Sequence, residues 1–263
     1  MNRSRLTMPA ALIFAVTAAA CGGGDENDGG RETTQATATT EATEEAVSFS
    51  EDEAKAAAQT AQLTIGDFPT GWVRRSPEPE ESTFGPGLPA ECQVFVEQEK
   101  FPGTVVELES DEFVSPDDET VSSSSTVYED VEVGEAAFAA IRQFIDDCRQ
   151  PLKDALTQVF RDTLKEQAEA ENSTLQLNLT EFNFDLMSFP EYGDESMAFR
   201  MGGKIESSVV SFDFAIDFIG TRVGNVDTGI TYEALGRSPN ADFEQQLMST
   251  LEQRATQAAA SLK

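Results

Sequence analysis

Apolar and polar residues alternate strictly through one segment near the C-terminus, and this alternation constrains the fold more than any other feature. In residues 212–218 an apolar side chain, most often phenylalanine, occupies every second position, with Asp213 and Asp217 between them. Because neighbouring side chains of a strand point to opposite faces, the pattern predicts a strand with one buried and one solvated side. Gly224 and Asn225 then predict a tight hairpin turn into a further strand over 226–232.

A second alternating segment contains a change of phase. Leucines stand at odd positions from 175 to 179, whereas apolar residues stand at even positions from 182 to 186. The shift predicts a β-bulge or bend near Thr180 and Glu181. Shorter alternating runs predict additional strands at residues 104–109, 122–129 and 197–201.

Helical periodicity occupies the middle of the chain. Apolar residues three or four apart from Phe138 onward predict a helix that places Cys148 on its buried face. Pro151 is expected to begin a second helical segment that continues to Leu164.

Two more helices are predicted near the ends of the folded region. An alanine-rich segment with acids in its first turn predicts a helix over 51–63, and Asn240 is a plausible N-cap for a final helix from Ala241. The order of elements predicts one α+β domain over residues 51–263, with an antiparallel sheet flanked by helices.

The N-terminus has the form of a secretory signal peptide that ends at a cysteine. Arg3 and Arg5 precede the apolar run Leu6–Ala20, which closes on three alanines directly before Cys21. This run is shorter than the roughly 20 residues of a membrane span and contains Pro9, so we predict a signal peptide over residues 1–20 rather than a transmembrane helix.

The same segment resembles the lipobox of bacterial lipoproteins, although Ala18 stands where leucine is usual. The resemblance implies that the Cys21 thiol is acylated, that Cys21 becomes the first residue of the mature protein, and that the lipid anchors it to the outer face of the cytoplasmic membrane. Residues 21–50 are rich in Gly, Thr, Ala and Glu and nearly free of large apolar groups, so we predict a flexible tether.

Composition narrows the possible functions. The chain has no histidine, which excludes Ser/His/Asp and Cys/His nucleophiles and histidine-ligated zinc, and we predict a protein that is not an enzyme and has no cofactor or metal. Its formal charge is −30, and loss of residues 1–20 would remove two arginines and no acids, giving −32. Such a charge argues against nucleic acid as a partner but is compatible with a cationic ligand.

The two remaining cysteines form an even pair once Cys21 is set aside. Export would place Cys92 and Cys148 in an oxidising compartment, so we predict a disulfide between them, with two buried free thiols as the alternative.

Several short motifs together resemble one family. They are LTIGDFPTGW (63–72), LPAEC (88–92), the helix that carries Cys148, TRVGNV (221–226) and the alanine-rich final helix. In combination they resemble actinobacterial lipoproteins related to the extracytoplasmic sensor domain of PknH-type serine/threonine kinases. The resemblance implies an antiparallel sheet flanked by helices, with a cleft that binds a ligand. Two disulfides are typical of that family, whereas this chain can form one.

The resulting hypothesis is a membrane-anchored, non-catalytic module that binds an unknown small-molecule or envelope ligand, or senses it. The alternative is a carrier of lipid or another apolar ligand, in which some of the 18 phenylalanines line a cavity. An enzyme with paired carboxylates and a purely structural envelope protein are less favoured. Trp72, Asp67 and Arg222 are candidates for lining a cleft, and packing or hairpin roles are the alternative for all three.

Overall fold

A computed structural model of the protein describes residues 49–76, 88–90, 92–93, 100–170 and 177–262. The predicted signal peptide, Cys21 and nearly all of the predicted tether lie outside these residues. The helices and strands in chain order are α1 (Glu51–Thr60), β1 (Val73–Arg75), β2 (Thr104–Glu109), β3 (Glu112–Val114), β4 (Thr120–Tyr128), α2 (Val131–Ala170), β5 (Asn178–Leu186), β6 (Glu195–Glu206), β7 (Ser211–Val223), β8 (Val226–Leu235) and α3 (Ala241–Ser261).

The eight described strands form one antiparallel sheet, which confirms the predicted α+β class. Its order is β1-β3-β4-β8-β7-β6-β5, and β2 also pairs with β4, beyond the end of β3. The longest pairing joins β6 to β7 and runs from Glu195 opposite Arg222 to Glu206 opposite Ser211. The hairpin at Gly224 and the bulge between Leu179 and Glu181 are confirmed.

Helices cover both faces of the sheet, so the predicted solvated face is wrong for much of β7. Helices α1 and α3 pack on one face, where Ile219 and Tyr232 are buried, and α2 packs on the other, where Phe214 and Met201 are buried. Asp217 is fully buried beneath α3, whereas Asp213 lies where the sheet is uncovered and is exposed. Strand alternation shows which residues share a face, but not what covers that face.

The first and last helices pack against each other through small side chains. Three alanines of α1 meet three of α3 in one buried cluster. These residues are Ala54, Ala57, Ala58, Ala255, Ala258 and Ala259. Side-chain caps fix both helix starts, because Ser50 accepts from the Glu53 backbone N–H and Asn240 from that of Phe243, as predicted for Asn240.

Helix α2 is continuous through Pro151, which corrects the prediction of two segments. Proline lacks a backbone N–H, so the helix loses one hydrogen bond there, and an interior proline costs about 3 kcal/mol. Phe160 and Leu164 keep the same apolar stripe in phase on the sheet beyond the proline. The packing of that stripe offsets the lost hydrogen bond.

None of the described helices combines the length with the apolar character that crossing a bilayer requires.

Candidate functional site

A cavity of about 280 Å³ opens between α2 and the edge of the sheet, beside the point where β5 ends. Its volume is close to the lower end of the range of about 300–1,000 Å³ that is typical of ligand pockets. Apolar side chains from α2, from the end of β5 and from the start of β6 line most of it. They are Ile145, Leu186, Met187, Phe189, Met197 and Phe199.

One wall of the cavity is the segment between β5 and β6, residues 187–194, which we call the wall loop. The wall loop is anchored to α3, because the Tyr192 hydroxyl donates to the Gln245 carbonyl (3.2 Å) and the Gly193 N–H donates to Glu252 Oε1 (2.7 Å). Gly193 has φ +60°, and a Cβ at this position would lie 2.4 Å from the Arg222 carbonyl oxygen. Only glycine therefore fits where the wall loop crosses β7.

Arg142 is the only cationic side chain among the described residues that line the cavity, and its position is already fixed. Its Nη2 donates to the Ser196 carbonyl at 3.1 Å, and its guanidinium lies 5.6 Å from the centre of the Phe138 ring. Arg142 therefore bridges α2 to β6 across the opening of the cavity.

Two carboxylates stand at the cavity on opposite walls. Asp146 projects from α2, one helical turn beyond Arg142, and Glu191 projects from the wall loop. Both are exposed, and no described side chain forms an ion pair with either of them. The charge available to an incoming group is therefore negative.

A buried ionic centre lies on the other face of the sheet, where α3 begins. Arg200 of β6 donates from both Nε and Nη2 to the two carboxylate oxygens of Asp217, each at 2.5 Å. Glu244 of α3 packs against this pair, and neither Asp217 nor Glu244 has measurable solvent exposure.

Glu244 is held in its protonated form by this environment. Neither of its oxygens has a donor among the described residues, so a hydrogen bond between the Glu244 and Asp217 carboxyls requires a proton on one of them. Burial, and then the hydrogen bond and negative charge of Asp217, raise the pKa of Glu244 to about 8. Asp217 remains the partner of Arg200.

Arg222 is buried at the β7–β8 hairpin and ties several elements together. Its Nε contacts Glu195 Oε2 at 3.0 Å, its Nη1 donates to the Gly224 carbonyl at 2.8 Å, and its Nη2 lies 3.4 Å from Glu135 of α2. Opposite it on β8, burial raises the pKa of Asp227 to about 8. The side chain of Arg222 is only 4% exposed, so it holds the hairpin and cannot receive a ligand.

The structure separates the three residues that were candidates for lining one cleft. Trp72 packs against Phe68 and Phe243, with ring centres 4.8 and 5.5 Å away. Asp67 accepts two hydrogen bonds of 2.8 Å from Arg254 of α3. With Arg222 at the hairpin, all three have packing or hairpin roles, which is the alternative stated for them above.

Cys92 and Cys148 form a disulfide, with their Cα atoms 5.8 Å apart. Both are buried with Leu152, on the side of α2 that meets the segment after β1. The disulfide does not line the cavity.

Sequence reasoning did not find the residues of the cavity. Arg142 and Asp146 stand one helical turn apart in a polar stretch, and nothing in their spacing distinguishes them from a solvated helix face. The described residues also contain no cluster of acids and cysteines suited to a metal ion.

Comparisons with known proteins found two solved structures with partial similarity. The extracellular domain of PknH from Mycobacterium tuberculosis is similar over 80% of this chain and 97% of that domain, at 10% identity and a TM-score of 0.36. LpqN from the same organism, described as involved in cell envelope biogenesis, is similar over 70% of this chain and 77% of its own, at 12% identity and a TM-score of 0.24. No protein-family model and no curated protein matches the chain. Both TM-scores lie below 0.5, so neither similarity defines the function of this protein.

Proposed function

We propose that residues 51–263 form a non-catalytic, extracytoplasmic binding module that takes a small ligand in the cavity between α2 and the wall loop. Lipid on Cys21 would hold the module at the outer face of the cytoplasmic membrane. The observation that carries the proposal is the cavity itself, which has an apolar lining and a few polar groups at its opening. That combination is typical of sites that bind small molecules.

The attachment of the wall loop supports a sensor-like role. This loop contacts the ligand space on one side and is hydrogen-bonded to Gln245 and Glu252 of α3 on the other. A ligand that shifts the wall loop must therefore also change contacts with α3. Occupancy of the cavity would in this way be transmitted to the opposite face of the sheet.

The packing of the phenylalanines favours a small ligand over a carried lipid. Phe160 of α2 lies 5.4 Å from Phe182 and 5.3 Å from Phe214, between ring centres, so these rings fill the core beneath α2. Phe189 and Phe199 are the phenylalanines that line the described cavity. A cavity of about 280 Å³ would hold a small molecule or part of a lipid.

Native mass spectrometry of the full-length protein from its own envelope tests the proposal. Leu186→Trp should fill the cavity, because Leu186 is at its edge and is 51% exposed, so the fold tolerates the larger ring. Val209→Trp is the matched control, since Val209 is 78% exposed and outside the cavity. We expect a bound small molecule in the wild type and in Val209→Trp, and its loss in Leu186→Trp. A wild-type protein without any bound species, or equal retention by both variants, would contradict the proposal.

A further inference from the structure

Resting on the proposed function, we infer that the cavity selects a cationic ligand: a small apolar group, aromatic or aliphatic, that carries a protonated amine or a quaternary ammonium. Three features of the cavity lead to this ligand class. They are the commitment of its arginine, the pair of carboxylates at its opening and the aromatic ring on its floor.

The arginine does not make the cavity a site for anions. A guanidinium that recognises a carboxylate or phosphate must present free N–H groups to it. Arg142 instead uses its Nη2 on the Ser196 carbonyl and lies over the Phe138 ring. An anion entering the cavity would have to displace these contacts and would also meet the carboxylates of Asp146 and Glu191.

The two carboxylates offer complementary charge to a cation. Asp146 and Glu191 come from opposite walls, and no described residue neutralises either one. An ammonium at the opening would therefore find negative charge on both sides. The formal charge of −30 adds a field that concentrates cations and repels anions around the whole molecule.

The floor of the cavity suits both parts of such a ligand. Phe199 stacks on Phe218 with ring centres 4.7 Å apart and leans against Phe184 at 5.2 Å, so its ring is held firmly. The face of an aromatic ring attracts an ammonium, and the nearby Met197 and Ile145 provide apolar surface for the rest of the ligand. The cavity volume limits the ligand to a small molecule.

The test compares two probes with the same ring and opposite charge, phenyltrimethylammonium and benzenesulfonate, titrated calorimetrically into the full-length protein at 0.15 M NaCl. We expect saturable binding of the ammonium and weaker binding of the sulfonate. Asp146→Asn combined with Glu191→Gln should weaken ammonium binding roughly five- to thirtyfold. The control combines Asp147→Asn with Asp185→Asn, which removes the same charge from exposed positions outside the cavity, and should change the affinity less than about twofold.

Three results would overturn the inference. Equal or tighter binding of benzenesulfonate would show that the cavity does not select cations, while the proposed binding function would stand. An equal loss in the two double variants would show that the overall charge, and not the cavity, attracts the ammonium. If neither probe binds saturably, the inference fails, and the mass spectrum of the envelope-derived protein decides the proposed function separately.

Discussion

Replacing Glu244 by glutamine should stabilise the protein at neutral and alkaline pH and have little effect in acid. Glutamine has nearly the same shape and can donate its amide hydrogen to Asp217, but it cannot ionise. The wild-type carboxyl keeps its proton in the folded protein up to about pH 8, whereas the unfolded chain releases it near the ordinary value of 4.5. Between these values the folded state binds more protons than the unfolded state, so the stability of the wild type falls as pH rises.

The size of the effect follows from the two pKa values. One pKa unit corresponds to about 1.4 kcal/mol, so a pKa of about 8 against 4.5 sets an upper limit of roughly 5 kcal/mol. Relaxation around a buried charge and water penetration reduce such penalties to a few kcal/mol. We therefore expect Glu244→Gln to raise the free energy of unfolding by about 2–5 kcal/mol at pH 8.5 and by less than about 0.5 kcal/mol at pH 4.

Urea unfolding at pH values from 4 to 9 measures this difference directly. Subtracting the wild-type curve from the variant curve removes the contribution of Asp227, whose pKa is also raised to about 8 by burial. Glu166→Gln, at an exposed position on α2, is the control and should differ from the wild type by less than about 0.5 kcal/mol throughout. The reasoning is refuted if the difference between Glu244→Gln and the wild type is the same at pH 5 and pH 8.5.

Three further predictions concern the anchor, the disulfide and the charge. Cys21→Ser should block lipid attachment, leaving a precursor or a released protein by intact-mass analysis; a serine variant that is still acylated and cut before residue 21 would contradict the lipoprotein prediction. Replacing Cys92 and Cys148 by serine should lower the free energy of unfolding by about 2–4 kcal/mol in denaturant titrations, since the bond spans 56 residues; full thiol labelling of the untreated, denatured protein would show that no bond exists. The melting temperature should rise between 0.01 and 1 M NaCl, because the screening length falls from about 30 to about 3 Å; a flat calorimetric profile would argue against charge repulsion as a destabilising force.

Local patterns predicted the features of the fold that depend on neighbouring residues. The phase change around Thr180 correctly predicts a bulge, and Gly224 predicts a hairpin, because register and turn geometry are encoded within a few residues. Asn240 predicts a helix start for the same reason. Each of these features needs no knowledge of distant parts of the chain.

Features that depend on distant packing were not predictable. The acid at 217 alternates as a solvated residue should, and only the arrival of α3 buries it beside Glu244. Pro151 has the local properties of a helix start, and only the packing of α2 on the sheet keeps the helix continuous. The cavity needs three segments that meet only after folding: α2, the wall loop and the beginning of β6.

The packing of α1 on α3 has a consequence for how the chain reaches its folded form. The alanines of the first helix have their partners about 200 residues later, in the last helix of the chain. Closing so long a loop is slow, and the contact cannot form until nearly the whole chain has been synthesised. During synthesis the first helix would therefore remain without its partner, which keeps the polypeptide in a form that can be threaded through a translocation channel.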